Sequence, residues 1–269
     1  MSTLKQPTIK FKRWRYSAEH HLASLFGGGP CRLCHSPELQ LTKLHGLPFM
    51  PRKLCSDCLL TFVQEPLKGI IVVPDLNEPI IIQYHSAAPY QGDLRKIIHM
   101  VKYEGDQMLA LDLPPLLIPA LRLSLDNERD NILVPVPLHP DKLRERGFNQ
   151  CHVLARGLHL LATTTGADLR LAPDLLMRTI YTRPQKGLKA IERQANVAGA
   201  FSTRARLKGE HIIILDDVLT SGATISTCAR VLLQSGASKV SALTLGRASW
   251  RNPPSSAQPA ETWEQLGTA

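Results

Sequence analysis

Ile212-Ile213-Ile214-Leu215 runs directly into Asp216-Asp217-Val218-Leu219 and then Thr220-Ser221-Gly222-Ala223-Thr224. Four apolar residues predict a buried strand, and the small, hydroxyl-rich stretch after it predicts the turn that opens a helix. A helix start presents unpaired backbone N–H groups and the positive end of the peptide dipoles, so an anion is favoured there. Gly222 and Ala223 keep side-chain bulk away, while Thr220, Ser221 and Thr224 can add hydroxyl donors. The two carboxylates suit the vicinal hydroxyls of a ribose ring, each of which can donate a hydrogen bond to an acid. Acid pair and loop together form a seat for a ribose 5-phosphate. The bland alternative is a buried strand, a solvated acidic turn and a capped helix.

A second group of reactive side chains stands far upstream. Cys31-x-x-Cys34 and Cys55-x-x-Cys58 are separated by residues 35–54, the paired-knuckle spacing of a four-thiolate zinc site. Four sulfurs close the coordination shell, so the metal would be structural. A redox pair or two disulfides are the rival readings, and His35 and His45 are spare donors. Arg32, Lys43, Arg52 and Lys53 could meet nucleic acid or offset the charge of the thiolates. Cys151 and Cys228 fall in predicted helices and read as buried, unreactive thiols.

The elements that must hold these groups follow from periodicity. Leu94, Ile97, Ile98 and Val101 form the stripe of an amphipathic helix, with Lys96, Lys102 and Glu104 off it. Asn131 to Pro137 reads as a strand, followed by a charged turn with Lys142, Arg144, Arg146 and Gly147 and by a helix from about Phe148 to Leu161. Lys239 to Leu245 is another strand. Strands alternating with helices predict an α/β fold around a parallel sheet. We divide the chain into a basic arm (1–24), a four-cysteine zinc-finger module (25–65), an α/β domain (80–248) and a tail (249–269). At 269 residues and 43% hydrophobic, one sizeable core and an accessory module fit. No apolar run is long enough to span a membrane and no secretory leader is visible, so a cytoplasmic protein is expected. The net charge of +9 favours phosphorylated metabolites or polyanions, and residues 178–210 alone carry eight Lys or Arg.

The strand-acid-loop run resembles the phosphoribosyl pyrophosphate (PRPP) signature of type I phosphoribosyltransferases. Arg146-Gly147-Phe148-Asn149-Gln150 resembles a motif of the ComF/GntX family, competence-associated proteins of phosphoribosyltransferase-like fold with an N-terminal zinc finger. His99 to Gly105, Arg183 to Leu188 and Arg193 to Val197 extend that resemblance, which covers roughly residues 22–247.

The resemblance implies a phosphoribosyltransferase fold with a hood, in which Asp216 and Asp217 orient the ribose and the waters of a Mg²⁺ ion, and Thr220 to Thr224 hold the 5-phosphate. Arg144, Arg146 and Gly147 would meet the pyrophosphate, and Arg183, Gln185, Lys186 and Arg193 would belong to the hood that excludes water. A solvated turn and a solvated basic loop are the plainer readings of the last two groups. No residue reads as a general base, and nothing in residues 178–197 identifies the acceptor. The family's association with natural transformation implies single-stranded DNA and a DNA-translocating ATPase as partners. A non-catalytic PRPP- or nucleic-acid-binding partner and a ligand-responsive regulator are the competing functions.

Overall fold

A computed structural model describes residues 30–37, 53–75, 78–179 and 199–248. Helix α1 (Ser56–Leu60) opens the sequence of elements, followed by β1 (Leu67–Val73), β2 (Ile80–Pro89), α2 (Gly92–Tyr103), α3 (Gln107–Ala110) and α4 (Pro114–Ser124). Then come β3 (Asn131–Pro135), α5 (Pro140–Arg146), α6 (Gln150–Thr164), β4 (Arg170–Leu171), β5 (Leu176–Arg178) and β6 (Phe201–Thr203). Strand β7 (His211–Leu219), α7 (Ala223–Gln234) and β8 (Lys239–Arg247) complete them.

Six strands form one sheet in the order β1-β2-β8-β7-β3-β4. All neighbours are parallel except β1, which runs antiparallel along β2 at the edge. Strand β7 lies inside the sheet, which is why its apolar run is continuous rather than alternating. The pleat then sorts successive residues to opposite faces. Ile213 and Leu215 pack with α2, α4 and α6 through Ile97, Leu117 and Leu158, while Ile212 and Ile214 pack with α7 through Ile225, Ala229 and Leu232.

The connections decide where a ligand can enter. From β3 the chain crosses through α6 to β4 on one side; from β7 it crosses through α7 to β8 on the other. The direction of travel therefore reverses between β3 and β7, and the crevice of an open α/β sheet lies outside the carboxyl ends of the strands at that switch point. Asp216 and Asp217 lie just before β7 ends at Leu219, and the segment after Pro135 leaves the same end of β3.

The expected helix at Leu94 is α2, and its stripe residues are all buried. The expected charged turn after β3 is instead a helix, α5. It buries no residue, so no apolar stripe marked it, and Gly147 closes it at φ 82°. The next helix begins at Gln150, where the Asn149 side chain accepts from Cys151 N at 2.9 Å and donates to Val136 O at 3.0 Å. Strand β1 falls between the expected finger and α/β segments and pairs with β2 from Leu67 to Val73.

Candidate functional site

Asp217 is 4% exposed near the carboxyl end of β7, and each of its carboxylate oxygens accepts from a protein donor. Oδ1 accepts from Lys102 Nζ at 2.7 Å and Oδ2 from Gln150 Nε2 at 2.7 Å. Burial works against the Lys102 ammonium, but the Asp217 and Asp216 carboxylates overcome it and hold its pKa above the ordinary lysine value. Asp216 is half-buried, and its Oδ1 accepts from Asp217 N at 2.8 Å and from the Cys151 thiol at 3.5 Å. Burial, followed by the adjacent Asp217 charge, pushes its pKa up from 3.8 to about 6.

A carboxyl raised in this way contributes stability that is fully present below its unfolded value and is lost as pH rises through about 6. Asp216→Asn is therefore expected to unfold with about 1–3 kcal/mol more stability than wild type at pH 7.5. The two stability curves should converge towards pH 4. Denaturant unfolding at several pH values checks this, and a constant difference across the range would contradict it.

Loop 220–222 carries the chain from β7 into α7. Gly222 is the N-cap residue at φ 79°, and no side chain caps the helix. A Cβ there would combine a left-handed backbone with a 3.2 Å approach to Ile71 Cγ2, so glycine fits for two reasons. Among the described residues, the amides of Ser221, Gly222, Thr224 and Ile225 have no hydrogen-bond acceptor. Thr220 is exposed and Ser221, Ala223 and Thr224 are half-buried, so the loop surface is accessible to solvent.

Beside the acids, a cleft of about 320 Å³ is lined by Lys102, Tyr103, Glu104, Gly105, Lys142, Glu145 and Arg146. Arg146 Nη1 donates to Gln150 Oε1, and Gln150 in turn donates to Asp217. A single network, Arg146–Gln150–Asp217–Lys102, thus joins α5, α6, β7 and α2. Of the three residues expected at the pyrophosphate, Arg146 lines this cleft and Gly147 ends its helix. The Arg144 side chain is 78% exposed and pairs with Asp141. Arg183, Gln185, Lys186 and Arg193 lie outside the described residues. Sequence reasoning missed Lys102 and Gln150 as site residues, although both stand in the family-like blocks.

The four knuckle sulfurs all lie within 4.8 Å of one another. Cys34 Sγ and Cys55 Sγ are 3.7 Å apart, far beyond a disulfide and close to the edge of about 3.8 Å that a tetrahedron of Zn–S bonds of about 2.3 Å requires. Amides already point at the sulfurs: Cys55 N donates to Cys31 Sγ at 3.4 Å and Cys58 N to Cys55 Sγ at 3.5 Å. Burial works to raise the Cys31 thiol, but the backbone donors of Cys34, Cys55 and Leu33 overcome it and bring its pKa to about 7. This donor set can hold a metal ion with all four positions filled by protein. Cys151, Asp216 and Asp217 also cluster. Burial and then the two carboxylates push the Cys151 thiol far up, which disfavours the thiolate that metal ligation or nucleophilic attack needs.

The knuckle grips the wall of the cleft. Arg32 pairs with Glu104 at 2.7 Å and with Asp106 at 3.2 Å, and Asp112 Oδ2 accepts from Lys53 N at 2.6 Å and Leu54 N at 2.8 Å. Leu54, Leu59 and Phe62 share one buried cluster with Leu94, Ile98 and Leu109.

No protein-family model matches the chain. Among curated proteins, it is 31% identical over 162 residues to the DNA utilization protein YhgH of Escherichia coli K12, covering 58% of this chain and 67% of that protein. It is 27% identical over 233 residues to the competence protein ComFC of Bacillus subtilis, covering 80% and 84% of the two chains. Competence protein F of Haemophilus influenzae is 26% identical over 204 residues, covering 72% and 78%. A purine phosphoribosyltransferase from Pyrococcus horikoshii matches 55% of this chain and 93% of its own at 16% identity, with a TM-score of 0.29. A superposition that loose adds nothing to the topology described above. Nearly a third of the aligned residues are shared with YhgH across two thirds of that protein, and a thinner likeness to ComFC runs along most of the chain; this protein therefore belongs to the ComF/GntX family and has its phosphoribosyltransferase-like fold.

Proposed function

We propose that this protein binds PRPP in the crevice between the ends of β3 and β7 and acts as a phosphoribosyltransferase in the handling of incoming DNA. The observation that carries this reading is the convergence of three features on one switch point: the paired acids, the uncapped start of α7 and the cleft containing Lys102 and Arg146. The amides of Ser221, Gly222 and Thr224, which have no acceptor among the described residues, would take the 5-phosphate, with the hydroxyls around them as further donors. Asp216, half-buried, is the acid available to a ribose hydroxyl. Lys102, Lys142 and Arg146 stand where positive charge stabilises a pyrophosphate as it leaves. Mg²⁺ arriving with PRPP would neutralise part of the phosphate charge, and Asp216 and Asp217 would orient its waters. Zinc in the knuckle would be structural, because four thiolates leave no position for water.

The names of the relatives, DNA utilization and competence, support a role in handling DNA, and we propose single-stranded DNA and a DNA-translocating ATPase as its partners. No helix among the described residues is long and apolar enough to cross a membrane. We place the protein in the cytoplasm. One observation favours a second reading, PRPP binding without transfer: Asp217 is already held by Lys102 and Gln150 rather than open to a sugar.

Calorimetric titration with PRPP and Mg²⁺ tests the site. One-site binding is expected, weakened at least tenfold, or about 1.4 kcal/mol, by Asp216→Asn. The absence of heat with wild type sinks both readings. Release of pyrophosphate in the presence of single-stranded oligonucleotide or free bases separates transfer from binding alone.

A further inference from the structure

Arg247, the last residue of β8, is used in an unusual way. Its Nη1 alone donates to three carbonyls: Thr220 O at 2.7 Å, Ala248 O at 2.9 Å and Leu219 O at 3.1 Å. Two of these belong to the first peptides of the loop that begins the 5-phosphate seat. Every described peptide bond is trans. In a planar trans peptide the C=O and N–H point in opposite directions, so fixing one fixes the other. Turning Thr220 O towards the guanidinium therefore turns the Ser221 amide away from it. That amide has no acceptor among the described residues. Leu219 O, which also accepts from Ala248 N at 2.9 Å, is held by two donors at once.

The guanidinium is itself fixed from behind. It lies 5.3 Å from the centroid of the Tyr84 ring, a cation–π distance. Tyr84 in turn lies over Gly69 of the edge strand, where an added Cβ would come within 2.7 Å of the tyrosine oxygen. Glycine at this position is what lets the ring lie flat across β1. The hairpin of β1 and β2 thus supports the loop twice, through Tyr84 and Arg247 and through Ile71 beneath Gly222.

We infer that Arg247 is a positioning residue for the 5-phosphate seat: held by Tyr84 over Gly69, it turns the loop carbonyls to one side so that the Ser221 amide is presented on the other. It acts through the backbone. The inference rests on the PRPP-binding reading above and deepens it.

The test uses the full chain with ribose 5-phosphate and inorganic pyrophosphate as separate probes. Arg247→Met, which keeps the stem and removes the donors, is expected to weaken ribose 5-phosphate binding tenfold or more while changing pyrophosphate binding less than twofold. Arg247→Lys should recover part of the loss, and the Ser221 and Gly222 amide resonances should shift in the methionine variant without ligand. Tyr84→Leu should weaken ribose 5-phosphate binding at least threefold, and it decides the matter if Arg247→Met does not fold. Unchanged ribose 5-phosphate affinity in these variants, or equal loss of both probes, overturns the role of Arg247 alone. Wild type that fails to bind ribose 5-phosphate removes the PRPP-binding reading and this inference with it.

Discussion

Cys58→Ser is expected to lower the midpoint of thermal unfolding by about 8–16 °C and to abolish the zinc binding proposed for the knuckle. The four-cysteine knuckle is small, but it is joined to the main core: Leu54, Leu59 and Phe62 pack in the same cluster as the helices over the sheet. Binding energies of about 10–16 kcal/mol are typical of structural zinc in isolated finger peptides. If losing one thiolate removes about a third of that, a loss of roughly 4 kcal/mol corresponds to about 8–16 °C in a chain of this size. Prolonged chelation of wild type should reproduce the shift. Metal analysis and calorimetric melting check the prediction. A serine variant that melts within about 2 °C of wild type, or freshly prepared protein with well under one equivalent of metal, would show that the knuckle is held by packing alone.

Lys102→Met should destabilise the protein by about 3–5 kcal/mol, because it leaves the buried Asp217 carboxylate with Gln150 as its one remaining partner among the described residues. Asp217→Asn in the same background should recover more than half of that loss, since a neutral amide needs no counter-ion; distant, unconnected sites would simply add. The double variant should remain unable to bind PRPP tightly, because the cleft has lost one of its three cations. Chemical unfolding of the four members of the cycle measures the coupling. Additive effects would mean that the 2.7 Å ion pair contributes little.

These two cases also mark the boundary of what the sequence could reveal. The β7 run, its loop and the cysteine spacings are short, contiguous patterns, and each local arrangement is dictated by neighbours in the chain. The strand, the turn and the sulfur cluster could therefore be read directly. Lys102 and Asp217 are 115 residues apart. A lysine just off the apolar stripe of α2 looks like any solvated residue until the sheet brings β7 beside it. Gln150 stood in a recognisable motif, but its role needs both Arg146 and Asp217 at once.

Other elements were hidden for local reasons. Helix α5 has no buried face, and α4 carries three prolines within a nearly continuous apolar stretch, so neither shows a clean helical period. The edge strand β1 leaves Ile70 and Val72 exposed, which blurs the inside-outside alternation. Arg247 ends a strand whose apolar residues drew attention to the core rather than to the loop beside its tip.

The grip of Arg32 on Glu104 and Asp106 brackets the stretch directly after Lys102. A shortened chain beginning at β1 would keep the whole sheet and both acids, yet the lysine-bearing corner would lose its outer brace. Oxidising the cysteines of the intact protein would loosen the same corner from a distance. The amino-terminal appendage is thus less a detachable hand than a buttress for the mouth of the crevice.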